Sequence, residues 1–577
     1  MKRITNTILL SILSINLCLA IPAKPGARLV YQPNGDSLTV FAHGDHHFSW
    51  LTDVDGNRVE QQPDGSYKVV PPLTAEEIEQ RINTSPILQC RQRHAPAAAQ
   101  REVPLNIAPR GLVILASFSN RTFTTSIDEM NEMLNGDNYT RDYSYRAYGS
   151  YIRITSSGSA RQYFREQSMG QYEPQFDIVG PVTLSHPYNY YGQNYNNVDG
   201  QDTYGSDMIV EACSLANAQG VDFTQYDNNG DGYVDFVYVF YAGYGEADGG
   251  GANTVWPHSA DLTGYYDNRF DGKLLSKYAC SNEISHISNM HDGIGTLCHE
   301  FSHVLGLPDF YATNYAGHKT LGQWDIMDAG PYNNDGNTPP AYSAYERFFM
   351  GWLTPEVLNK PRTIRLADLK TSNTAYMVTA SGESNLIGND PAPAEFYLIE
   401  NRQDEGWDKY IPGHGMLITK ISYSYMRWMQ NSVNNSARTM GVDIMEADGK
   451  APNDNYGKAS DAFPTGAEEY TPYEEYPITN ITESNKIITF DFMGGGGLER
   501  AILNWVTDSI VNKKHIEYNT IEAVYDLSGH LLLSSGSEGT AIEELQMSPG
   551  TYVVKISNGE TDKKKRHVKG QQVVIKN

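Results

Sequence analysis

The stretch GTLCHEFSHVLGLPDF, residues 295–310, places two histidines, a glutamate, a glycine and an aspartate in one short span. Ile294, Leu297, Cys298, Phe301, Val304 and Leu305 recur at intervals of three and four, which predicts a helix with a buried stripe. His299 and His303 fall one turn apart on another face, so both imidazoles can reach a single Zn²⁺ at about 2.0–2.1 Å. Glu300 adjoins the first histidine and can take a proton from a water activated there. Gly306 stands where the helix must end at positive φ, after which the chain can turn and bring Asp309 back toward the ion. Two neutral imidazoles and one carboxylate leave a fourth position open, as a catalytic zinc requires. A structural zinc is more often closed by cysteines, and Cys298 faces the apolar stripe. The competing reading is a helix with two surface histidines and no ion. The full H-E-x-x-H-x-x-G-x-x-D string on a correctly phased helix favours the metal.

A second ion loop lies upstream. In DNNGDGYVD, residues 227–235, Asp227, Asn229, Asp231 and Asp235 are spaced as oxygen ligands around Gly232, with Tyr233 offering its carbonyl. Calcium takes such ligands. The twelfth position of an EF-hand is Tyr238 rather than Glu, so the loop is not an EF-hand, and an Asx-rich turn before a strand is the alternative. Around these loops the pattern predicts a buried strand over 111–118, a helix over 205–220 and a central strand over 233–243. In that helix Ser206 is the expected cap and Met208, Ile209, Ala212, Cys213 and Ala216 the stripe. The glycine-rich stretch 244–259 has no phosphate-binding lysine and no G-x-G-x-x-G.

The chain has 577 residues, enough for two to four domains, and a net charge of −25, which argues against a nucleic-acid partner. Residues 1–20 carry Lys2 and Arg3, an apolar run and small residues, and read as a secretory signal cut after Ala20, or as late as Ala23. The run is too short and too polar for a membrane anchor, and no other segment could span a membrane. Four cysteines then remain, Cys90, Cys213, Cys280 and Cys298, too few for a disulfide scaffold; one or two bridges or buried free thiols both fit. Residues 28–70 read as a small hairpin unit, followed by a helix capped by Thr74. An Ala/Pro/Arg-rich linker over 90–111 exposes Arg91, Arg93, Arg101 and Arg110, so 24–109 reads as a propeptide ending in a cleavable linker. His43, His46 and His47 cluster within it, as a second metal site or as surface histidines. A glycine run ending at Gly497 reads as a hinge, and 498–577 as a compact β module.

Downstream of the opening stretch lies TLGQWDIMDAGPYNN. HEFSHVLGLPD followed by WDIMDAG resembles the metzincin zinc peptidases, in which a methionine turn lies beneath the metal; Met327 matches that methionine. The metzincin string ends in His where this chain has Asp309. That departure resembles the immune inhibitor A family, and the likeness extends over about 110–492, with the hairpin unit similar to that family's pro-region. The resemblance implies an α+β fold: a metzincin-like catalytic region over 110–493 with a β-rich C-terminal subdomain, preceded by a β-rich pro-region. It implies one catalytic zinc on His299, His303 and Asp309, Glu300 as general base and acid, and Tyr332, just past the methionine turn, as a group that approaches the metal or the oxyanion. Tyr332 also fits as a packing or surface residue. The tail resembles C-terminal sorting domains that address cargo to an outer-membrane secretion machinery of Gram-negative bacteria; an accessory β domain is the alternative. The expectation is a secreted or cell-surface, monomeric zinc endopeptidase acting on proteins or peptides. The rival is a catalytically silent adhesin that keeps the zinc helix as scaffold, against which the intact Glu300 speaks. Zinc-dependent hydrolysis of non-peptide amides also fits the string.

Overall fold

A computed structural model describes residues 21–62, 64–83, 108–147, 150–194, 202–262, 268–450 and 457–495, and the backbone of four strands between 520 and 576. Residues 1–20, where a signal is expected, most of the expected linker and Gly497 lie outside the described residues. The chain divides into two compact units, one of residues 1–358 and 367–467, the other of 359–366 and 468–577.

The centre of the first unit is a five-stranded sheet in the order His258–Asp261, Lys277–Asn282, Val237–Tyr241, Arg110–Ser117, Gln175–Thr183. Four strands run parallel, and the edge strand His258–Asp261 runs antiparallel to its neighbour. The sequence explains the centre: Gly111–Ser117 and Val237–Tyr241 are near-continuous apolar runs, as strands covered on both faces must be, and every one of these residues is buried. Helices Ile127–Asn135, Gly205–Ala218 and Gly295–Val304 pack with this sheet and share one apolar core with it. A second sheet in the same unit, Glu356–Val357, Tyr376–Val378, Glu395–Arg402, Gly415–Ser422 and Val442–Ile444, is antiparallel except at its first pair.

Two local expectations are corrected. Ser206 does not cap its helix; the cap position is Tyr204, and the Ser206 hydroxyl lies 3.1 Å from the Tyr278 hydroxyl. The strand expected over 233–243 is two strands. Tyr233–Val234 pairs with Lys273–Leu275 in a separate three-stranded sheet, and Val237–Tyr241 joins the central one. The chain changes sheets at Asp235, whose carboxylate turns back to accept from the backbone and side chain of Asn228.

The N-terminal hairpin unit is a five-stranded meander, Ala27–Tyr31, Ser37–Asp45, Phe48–Thr52, Arg58–Gln61 and Tyr67–Val69, each strand pairing with the next. Helix Ala75–Asn83 follows, with Thr74 and Glu77 exchanging hydrogen bonds as a capping box. This unit packs on the loop that follows the helix Gly295–Val304 and on the edge strand His258–Asp261. Asp45 is buried and accepts from the hydroxyls of Tyr311 and Tyr315, and the His46 ring stacks on His258.

The second unit contains a three-stranded sheet, Arg362–Leu366, Ile487–Phe492 and Ile478–Ser484, and a four-stranded antiparallel sheet of Leu531–Ser534, Thr520–Tyr525, Gly550–Ser557 and Gln571–Lys576. The latter lies within residues 498–577, where the sequence predicts a β module, but the structural unit that contains it also takes in 359–366 and 468–497.

Candidate metal centre

The helix Gly295–Val304 is buried at every one of its ten positions. Its apolar stripe behaves as expected: Phe301 meets the rings of Phe164, Phe236 and Phe176, with centroids 4.9, 4.5 and 5.7 Å away. Gly295 is needed at its start, because a Cβ there would collide with the carbonyl oxygen of Pro331. Gly306 ends it at φ 111°, a left-handed conformation that favours glycine. Lys277 donates to the carbonyl of Val304, a cation at the negative end of the helix.

The turn beyond Gly306 returns Asp309 to the histidines. Nε2 of His299 and of His303 lie 3.1 Å apart, and each is 3.2 Å from Oδ1 of Asp309. Among the described residues this trio is the one group of three or more His, Cys, Asp or Glu side chains whose donor atoms converge closely enough to hold a metal ion. Three donors about 2.0–2.1 Å from a tetrahedral Zn²⁺ stand roughly 3.3 Å from one another, so the set fits that ion. The supporting contacts fit too. Nδ1 of His299 lies 2.7 Å from the carbonyl of Ile326 and Nδ1 of His303 lies 2.8 Å from that of Leu307, which leaves both Nε2 atoms as the free donors. The turn with Met327 therefore positions His299 through the preceding carbonyl; Met327 itself is fully buried, and its own carbonyl accepts from the Phe310 amide.

Asn431 is a component that no spacing argument identifies. Its Oδ1 accepts from the Asp309 amide at 2.7 Å and its Nδ2 donates to Asp309 Oδ2 at 2.6 Å. It leaves Oδ1 facing the imidazoles. Asn431 adopts φ 51°, a left-handed conformation that Asn tolerates, and Asn434 ties the same loop to the Phe310 carbonyl. The only sequence signal is the Asn-rich stretch NSVNNS, an ordinary loop composition.

Electrostatically the centre is dominated by burial. Burial pushes Asp309 up, but His303 and His299 together outweigh it and hold the carboxylate below its usual range. Burial lowers His299, favouring the neutral imidazole that a metal needs. Burial, assisted by Asp309, holds Glu300 well above the usual carboxylate range. Glu300 Oε2 is buried with no hydrogen-bond partner, and Oε1 accepts from the backbone amide of Ile21 at 2.8 Å.

That last contact places residues 21–24 across the site. The Ile21 carbonyl accepts from Trp256 Nε1 at 3.0 Å, and the Pro22 carbonyl from the Tyr332 hydroxyl at 2.6 Å. The Lys24 ammonium pairs with Asp335 at 2.7 Å and Asp248 at 3.1 Å. Tyr332 thus grips the backbone of the segment in this arrangement.

The other expected ion loop is arranged differently. Asp227 Oδ2 accepts from Lys273 at 2.6 Å and from the Gly232 amide, Asp231 Oδ1 from the Tyr233 amide, Asn229 Oδ1 from the Asp231 amide, and Asp235 from Asn228. The structure gives these residues as turn and ion-pair partners. His43 lies 2.8 Å from the Thr52 hydroxyl and stacks on Trp50. Cys213 and Cys298 are buried free thiols, Cys280 is buried with its Sγ 3.4 Å from His258 Nδ1, and Cys90 lies outside the described residues.

A mixed sheet carrying a buried helix with this donor set and an adjoining glutamate defines the class: a metallopeptidase catalytic domain. Residues 106–353 match the immune inhibitor A peptidase M6 catalytic domain. It is similar to the pre-pro-metalloprotease PrtV of Vibrio cholerae, 27% identical over 285 residues that make up 43% of this chain and 31% of the relative. It is also similar to immune inhibitor A of Bacillus thuringiensis, 26% identical over 275 residues, 41% of this chain and 39% of the relative. The aligned part thus spans about a third of these relatives' length.

Proposed function

We propose that the chain is a secreted zinc-dependent endopeptidase, metzincin-like in its catalytic region and made as a latent precursor. The observation that carries this is the convergence of His299, His303 and Asp309 with Glu300 on the same buried helix. A bound zinc supplies Lewis acidity, acidifying a water and polarising the scissile carbonyl. Asp309 brings negative charge, so the centre is a slightly weaker Lewis acid than a three-histidine one. Glu300 takes the proton of the attacking water and hands it to the leaving nitrogen. Tyr332, Trp256 and Ala247 hold the peptide backbone beyond the cut.

Latency is supported by the position of Ile21 on Glu300, which denies the glutamate to any substrate. Burial of Ile21 and Ala23 favours signal removal after Ala20 rather than Ala23. Conversion then requires cutting in the arginine-bearing linker. Among the described residues no helix is long and apolar enough to cross a membrane. The tail's likeness to sorting domains supports release from a Gram-negative cell through an outer-membrane machinery, as a monomer acting on protein substrates. A calcium ion at Asp227, Asn229, Asp231, Tyr233 and Asp235 would rigidify the catalytic unit, and Lys273 would have to leave Asp227 to admit it.

The test compares wild type with Glu300→Ala for zinc content and cleavage of casein or gelatin, after removal of the pro-region by trypsin. The expected result is about one zinc in each protein, with cleavage by the wild type alone. If the zinc-loaded wild type cleaves nothing, the silent-adhesin reading replaces this one.

A further inference from the structure

We propose that Asp248 and Asp335 form a specificity pocket in the converted enzyme, taking a lysine or arginine at the fourth residue beyond the scissile bond. This rests on the peptidase reading above. In that chemistry Glu300 delivers its proton to the leaving nitrogen, so the atom that sits on Glu300 marks where the departing peptide begins. The Ile21 nitrogen, the N-terminal amine once the signal is cut after Ala20, occupies that place, 2.8 Å from Oε1. Residues 21–24 therefore lie along the path of the residues that follow the cut.

The backbone of this segment is held by groups that do not read its sequence. Trp256 Nε1 binds the first carbonyl, the Tyr332 hydroxyl binds the second, and the Ala247 carbonyl accepts the fourth amide at 2.9 Å. Any extended peptide can use the same three contacts. The side chains are what the cleft selects. Ile21 is fully buried in an apolar cluster with Ala247 and Trp256. Lys24 is buried as well: its side chain is 7% exposed and meets Asp248 and Asp335, themselves 6% and 5% exposed. Ser285 completes the contacts of its ammonium at 3.4 Å.

The carboxylates are anchored independently of the lysine. Asp248 Oδ2 accepts from the His286 amide, and Asp335 Oδ2 from the Tyr143 hydroxyl at 3.4 Å. Departure of the pro-region thus uncovers two fixed anions without their counter-ion, with a third carboxylate, Asp292, close enough to repel both. Like charges held together are costly, and a substrate cation at the same register removes that cost. A cavity of about 370 Å³ bordered by Lys24, Tyr332 and Asp335 gives room for the broader guanidinium of arginine.

The experiment uses the full chain, zinc-loaded and converted by limited trypsin cleavage, against fluorogenic peptides identical except for Lys, Ala or Glu at the fourth residue after the cut, with the cut located by mass spectrometry. The Lys peptide is expected to exceed the Ala peptide by about tenfold in kcat/KM, with Glu lowest. Asp335→Asn and, separately, Asp248→Asn should bring the Lys/Ala ratio close to one. Because the ratio is taken within one enzyme, a general loss of activity cancels. Equal kcat/KM for the Lys and Ala peptides in an active wild type overturns the pocket and leaves the peptidase reading standing. No cleavage of any peptide overturns both.

Discussion

Asn431 clamps Asp309 from 122 positions further along the chain, accepting from its amide and donating to its distal oxygen. Partners of this kind typically contribute 10- to 100-fold in metal affinity, so Asn431→Ala should weaken zinc binding by roughly that factor in a competitive chelator titration. The convergence of His299, His303 and Asp309 beside Glu300 was legible in the sequence because helical periodicity and one glycine fix their phase locally. Asn431 was not, because its role depends on a loop brought in by tertiary folding. Asp292 offers a second test at this scale. Burial, with Asp248 and Asp335, pushes its carboxyl up to about 7 against the pull of Lys24. The folded protein then holds a proton that the unfolded chain has released above about pH 4, so this group's stabilisation is present at low pH and is lost as pH rises through 7. The stability of wild type relative to Asp292→Asn should therefore fall between those two values and stay level above them, as read from urea midpoints.

At the scale of the element, the active-site helix shows which part of its environment a pattern can reveal. Its apolar stripe was readable because intervals of three and four describe one buried face. Its complete burial was not, because the polar face is covered by segments distant in sequence. Phe301 sits among three rings of the sheet and neighbouring helix, so Phe301→Ala should cost about 3–5 kcal/mol in chemical denaturation. Gly295→Ala should act on function as well, since the added methyl meets backbone at Pro331 and the helix must shift; the expected readout is reduced zinc content in a protein that still folds. The divided strand at Asp235 teaches the converse. Its composition reads as one β run, and only the turn of Asp235 toward Asn228 reveals that the two halves serve different sheets.

For the molecule as a whole, the sequence separated a hairpin unit from a catalytic region but gave no sign of how the first residues of that unit engage the second. The ion pairs of Lys24 are central to that engagement. Lys24→Glu would set a fourth carboxyl group against Asp248, Asp335 and Asp292, and the uncut precursor should then cleave casein, whereas Lys24→Arg should remain silent. The same closure has a consequence in time. His299 and His303 are 0% and 4% exposed while Ile21 sits on Glu300. An ion inside such a shell exchanges only as fast as the shell opens. If the proposed zinc is bound there, loading should precede closure, while the first strands are still adrift. A chelator should then strip zinc slowly from the uncut chain and rapidly from the converted one, so the segment resting on Glu300 would also guard the ion.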